Sequence, residues 1–151
     1  MIEKTAWVYN PEIKNYSFGK GHPFTGERFE IFLKFLKEKL PNFNDYFVEV
    51  KPRPANEGDL RLFHSQEYIE AMKKASKGQV LPNIFQYTTI DNLDPSTNYL
   101  PRGIEETTRM VVGDSLLAGE LVTTGRFKKA IVFGRGFTSC QEKLRRGILS
   151  L

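Results

Sequence analysis

Cysteine occurs once in these 151 residues, at Cys140, so no internal disulfide framework can hold the chain together. A lone thiol fits a reducing compartment. Long apolar runs are also missing: no stretch approaches the roughly 20 residues that cross a bilayer. The opening Met1-Ile2-Glu3-Lys4 lacks the apolar core of a secretory leader. A soluble, cytoplasmic protein without a membrane partner is expected. Histidine is scarce, at His22 and His64 only, and these two with Cys140 are too dispersed to read as a metal-ligand set. A general basic excess is lacking as well. The net charge is +4, but Arg135, Lys143, Arg145 and Arg146 against Glu142 supply +3 of it. Residues 1–134 carry 18 basic against 17 acidic side chains, too even a balance to neutralise phosphates. No nucleic-acid partner is expected.

What is present is ordinary globular material, 40% hydrophobic and 26% charged, in a length that suits one domain. Thr5 to Tyr9 is rich in strand formers and stops at the turn signal Asn10-Pro11. A Gly/Pro-punctuated loop fills residues 15–26. Phe29, Phe32, Leu33, Leu36 and Leu40 then recur at helical spacing until Pro41. Tyr46 to Val50 reads as a second strand. Asn56 is placed to cap a short helix through Phe63, and Ser65 to start another with Tyr68, Ile69 and Met72 on one face.

Residues 78–103 read as one long loop, an uncommon length that is usually functional or disordered. A helix is expected from about Ile104 to Val122, burying Met110, Val111 and Leu117, with small Gly113, Ala118 and Gly119 admitting close packing. Lys129 to Phe133 is an apolar run fit for a buried parallel strand. Strands alternating with helices predict an α/β layered fold.

Several short motifs stand in a consistent order. Trp7-Val8-Tyr9-Asn10-Pro11-Glu12 pairs a strand with a turn. Gly21-His22-Pro23 precedes Arg28 at the head of a helix, in the pattern G-H-P-x(4)-R. Leu60-Arg61-Leu62-Phe63-His64-Ser65, followed by Tyr68-Ile69, fits L-x-x-F-H-[ST]-x-x-Y-[IL]. Taken together these resemble the first part of the histone deacetylase superfamily, including the acetoin-utilisation-type and acetylpolyamine deacetylases. Gly113-Asp114-Ser115 stands where that family often has Gly-Gly-Ser or Gly-Gly-Thr, so Asp114 is a departure bearing on helix packing.

Gly134 to Leu151 extend the resemblance in another reading frame. Moving each codon window one base downstream permits Gly-Gly-Gly-Leu from Gly134 to Phe137, His-His from Thr138 and Ser139, and Ala from Cys140. Gln141 and Glu142 are forced to Lys or Arg, and Lys143 to Ser or Asn. The permitted run continues unbroken through Leu151. It is similar to the family's histidine-pair motif. The reading is therefore a partial deacetylase-like domain over 1–134 and an out-of-frame tail over 135–151.

The resemblance implies the N-terminal part of a parallel-sheet, arginase/deacetylase-like three-layer fold. For the intact family it implies zinc, held by Asp, His and Asp, activating a water against an acetamide carbonyl, with the histidine pair moving protons. It also implies substrates such as acetyl-lysine proteins or acetylated polyamines. The ligands and catalytic tyrosine would lie downstream of the pair, so no catalytic or metal residue is assigned to this chain and no cofactor is expected for it. A supporting shell is implied at Tyr9, Arg28 and His22, and a substrate rim at Asp94, with Asp91 as its rival.

Plainer readings stand beside these. Arg28 also fits a solvent-facing arginine in a first helical turn, His22 a hydrogen-bonded loop residue, His64 a helix-boundary residue, and Asp94-Pro95 a turn. Gly134-x-Gly136 mimics a dinucleotide loop, but Ser139 replaces its third glycine and no acid can follow some twenty positions on. Lys20 precedes the last glycine of its loop, so that loop is no phosphate-binding P-loop. The function expected is that of an inactive member of the zinc-dependent deacetylase family that self-associates through an uncovered sheet edge. The alternative is a non-enzymatic α/β binding module with a basic tail.

Overall fold

A computed structural model describes residues 3–15, 17, 25–80 and 102–132. Within them, strand β1 (Thr5–Val8) leads through a 3-10 turn (Pro11–Asn15) to helix α1 (Glu27–Lys39). The short helix α2 (Phe43–Tyr46) runs straight into β2 (Phe47–Val50). Helices α3 (Glu57–Arg61), α4 (Gln66–Ser76) and α5 (Ile104–Thr123) precede β3 (Ala130–Val132). The three strands form a parallel sheet in the order β2-β1-β3, pairing Val8 with both Val50 and Val132. The expected α/β class with a parallel sheet is what the chain adopts.

The strand period of two explains why β1 has no polar face. Ala6 and Val8 point to one side of the sheet and pack with Ala118 and Leu121 of α5. Trp7 and Tyr9 point to the other side and meet Phe43, with Phe29, Leu33 and Leu36 of α1 and its C-cap Leu40 closing over them. Helix, sheet and helix thus form three layers about a central strand buried on both faces. The α1 side is aromatic: the Trp7 ring stands edge-on to Phe43 and Phe47, 5.5 Å from each, and those two rings stack at 4.7 Å.

The helix starts follow local chemistry. Asn56 and Asp59 close a reciprocal capping box on α3, through hydrogen bonds of 2.9 and 2.8 Å. The Ser65 hydroxyl accepts from the Tyr68 N–H at the head of α4. At the other end of α4, the buried Ser76 hydroxyl donates to Glu106 and accepts the Glu105 N–H, tying α4 to the start of α5. Ala55, Leu60 and Ile69 form a third cluster against Val112.

Three expectations need correction. The buried face of α5 consists of Gly113, Asp114, Ala118 and Leu121, while Met110, Val111 and Leu117 are only half-buried. Gly119 faces away from the packing, with nothing within 4 Å of where its Cβ would stand. In β3 Ile131 is 39% exposed, although the apolar run predicts burial. A short β3 covered by α5 on one face explains that exposure. The expected loop over 78–103 and the tail from 134 fall mostly or wholly outside the described residues.

Candidate functional site

In open parallel sheets, ligands gather outside the carboxyl ends of the strands, where connections depart to opposite sides. With the order β2-β1-β3, that position here is the end of β1, beside β3. Tyr9 and Asn10 leave the sheet at this point. Both are buried, Tyr9 to 9% and Asn10 to 2% exposure. The Asn10 side-chain oxygen accepts the Glu12 N–H at 3.1 Å, which shapes the 3-10 turn and turns the chain away toward α1.

Asp114 belongs to the same neighbourhood. It lies on the stripe of α5 that packs against β1 and the 3-10 turn, and it is fully buried. Among the described residues neither carboxylate oxygen has a hydrogen-bond partner, and the Tyr9 hydroxyl is likewise buried without one. Burial raises the Asp114 pKa to about 7; the Asn10 backbone N–H faces the carboxyl and offsets part of this without reaching hydrogen-bond geometry. Tyr9 is raised too, first by burial and then by the charges of Glu30 and Asp114. The sequence marks Asp114 only as a departure from a small residue. Helical arithmetic was the signal that could have revealed its burial: it stands four residues after Met110, three before Leu117 and seven before Leu121, on the apolar stripe itself.

The other candidates disperse. Arg28 is exposed in the first turn of α1, its guanidinium 4.8 Å from the Phe29 ring centroid, and Phe29 in turn packs on the cluster that holds Tyr9. Arg28 and Tyr9 thus share one side of the sheet. His64 sits at the junction of α3 and α4, stacked on Tyr68 at 4.8 Å, and burial lowers its pKa. His22, Asp91, Asp94 and Cys140 lie outside the described residues. A shallow surface depression lined by Glu3, Thr5, Leu40, Tyr46 and Phe47 opens at the amino ends of β1 and β2, away from Tyr9.

Among the described residues, no three of His, Cys, Asp or Glu converge to hold a metal ion. Asp114 is a single carboxyl in an apolar setting, so the described residues do not fit a zinc. No helix among them is long and apolar enough to cross a membrane.

Residues 22–138 match the histone deacetylase domain family. The chain is 30% identical over 143 residues to the acetoin utilization protein AcuC of Staphylococcus aureus strain MRSA252, covering 93% of this chain and 35% of that protein. It is 29% identical over 135 residues to AcuC of Bacillus subtilis strain 168, covering 89% and 34%. It is 26% identical over 136 residues to AcuC of Staphylococcus xylosus. The chain spans about a third of the length of the curated relatives it matches.

Proposed function

This chain belongs to the histone deacetylase family, and from that premise we propose that it carries the first, sheet-forming part of a zinc-dependent amide hydrolase domain without the residues that perform the reaction. In the intact domain the substrates would be acetylated amines, such as acetyl-lysine or an acetylpolyamine. Tyr9 and Arg28 would serve there as a supporting shell on one side of the sheet, the arginine as a fixed cation for the released acetate. His22 and Asp94 would belong to the same shell and to the substrate rim.

One observation carries this reading. The family match ends at residue 138, where the one-base-shifted reading permits His-His in place of Thr138 and Ser139. The chain leaves β3 six residues earlier, at the carboxyl edge of the sheet beside Tyr9. A histidine pair a few residues beyond β3 suits a site at that edge. Residues 135–151 would then be an out-of-frame replacement for the motif, and the chain as translated would not hydrolyse acetamides.

The test is to sequence the encoding locus and to assay the purified chain for bound zinc and for deacetylation of acetyl-lysine peptides and acetylpolyamines. The shifted frame is expected to continue past Leu151 with aspartate and histidine ligands, and the chain to bind no stoichiometric zinc and release no acetate. Early stops in the shifted frame, or zinc-dependent turnover by the chain after removal of host enzymes, would overturn the proposal.

A further inference from the structure

The carboxyl of Asp114 has no role in the reading above. It is fully buried where α5 crosses β1 and the 3-10 turn, both oxygens lack a hydrogen-bond partner among the described residues, and a Tyr9 hydroxyl equally without one there is near enough to feel its charge. A carboxylate in such a place carries a large desolvation cost, whereas a neutral carboxylic acid carries a modest one. We propose that Asp114 acts as a proton latch: α5 seats on β1 and the 3-10 turn with this carboxyl protonated, and loss of the proton loosens the helix from the sheet.

The charges on the surrounding elements are committed elsewhere. On the 3-10 turn, Glu12 pairs with Lys51 and Lys14 with Glu30 of α1. On the segment before α3, Arg53 pairs with Asp59. On α4, Lys73 bridges Glu57 and Glu70, while Glu67 and Lys74 lie exposed on its outer face. On α5 itself, Arg109 pairs with Glu105, and Glu106 accepts from Ser76. Strands β1 and β3 bring no charged side chain; Lys128 beside β3 pairs with Glu3, and Lys129 is exposed. None of these cations is among the influences on Asp114, which are burial and the Asn10 backbone.

The helix also has little freedom to relieve the strain by a small shift. One residue away, Gly113 meets the Arg53 carbonyl so closely that a Cβ there would stand 2.0 Å from it. Sliding toward that segment is blocked, so an ionised Asp114 finds water only by α5 moving off the sheet. The latch therefore engages at mildly acid pH and releases above neutrality.

The sign follows from linkage. The folded pKa, about 7, lies above the ordinary 3.8, so the stabilisation is full below pH 3.8 and is lost as pH rises through 7. The experiment follows stability of the full chain and of D114N from pH 5.5 to 8, with amide exchange of residues 113–121 and a carboxyl carbon NMR titration of Asp114. Relative to D114N, the wild-type folding constant should fall about 30-fold over that range. The α5 amides should lose protection over the same range in the wild type alone, and the carboxyl should titrate near neutrality. Parallel pH profiles for the two chains, α5 protection that is insensitive to the titration, or an Asp114 already ionised at pH 5 would overturn the proposal. If D114N does not fold, the NMR titration of the wild type decides alone.

Discussion

The same substitution at two glycines of α5 should have opposite signs. In Gly113→Ala, the new Cβ would stand 2.0 Å from the Arg53 carbonyl oxygen and 3.2 Å from the Ala55 nitrogen. Both are backbone atoms, so no side chain can swing aside. Reaching an ordinary C···O contact of about 3.3 Å needs a separation of roughly 1.3 Å between α5 and residues 53–55. That segment is fastened to α5 by the Ala55 N–H donating to the Arg109 carbonyl at 2.8 Å, and by the Arg109 guanidinium donating to the Ala55 carbonyl at 3.0 Å. A shift of that size takes both bonds beyond hydrogen-bond range.

Losing the two bonds costs about 2–3 kcal/mol, and the gain of helix propensity from glycine to alanine returns only about 1 kcal/mol. With residual overpacking strain, Gly113→Ala should destabilise by about 2–4 kcal/mol. Gly119→Ala places its methyl in open space on the exposed face, so it should stabilise by about 0.5–1 kcal/mol. Urea unfolding followed by circular dichroism measures both, with the difference read from the midpoints at equal slope. A Gly113→Ala chain as stable as wild type, or two substitutions shifting stability in the same direction, would refute the packing of α5 described above.

Asn56→Ala removes the capping box of α3 and should cost about 1 kcal/mol in the same unfolding assay. His64 is held neutral by burial, with its pKa below the ordinary 6.5, so its contribution is present above that value and is lost as pH falls through 6.5 toward the folded pKa. His64→Gln should therefore flatten the stability loss on mild acidification, a slope opposite in sign to that of Asp114. Melting the variant beside wild type between pH 7.5 and 5 checks it.

Local chemistry alone determined much of this protein. The strand formers of Thr5 to Tyr9, the helical spacing from Phe29 to Leu40, and the caps at Asn56 and Ser65 each depend on neighbours within a few residues, so they were legible without a fold. The deacetylase resemblance was legible too, because its motifs are short, ordered and in frame up to the tail. Helix α2 was not: Phe43–Tyr46 is a single turn with no period to detect, and it exists to stack Phe43 on Phe47 beneath Trp7.

Which glycine packs and which faces solvent was equally invisible, since Gly113 and Gly119 differ only in what α5 is laid against. Arg28 and Tyr9 come to one side of the sheet, but only the three-dimensional layout leaves the arginine exposed and the tyrosine buried. Asp114 is the clearest case. Its spacing put it on the apolar stripe, but a charge on a stripe can sit at the rim or in the core. The strand order decided which: with β1 central and α5 laid over β1 and the 3-10 turn, the carboxyl is enclosed and without a partner among the described residues. Burial depends on what distant segments bring to the same place, and no window of sequence contains that.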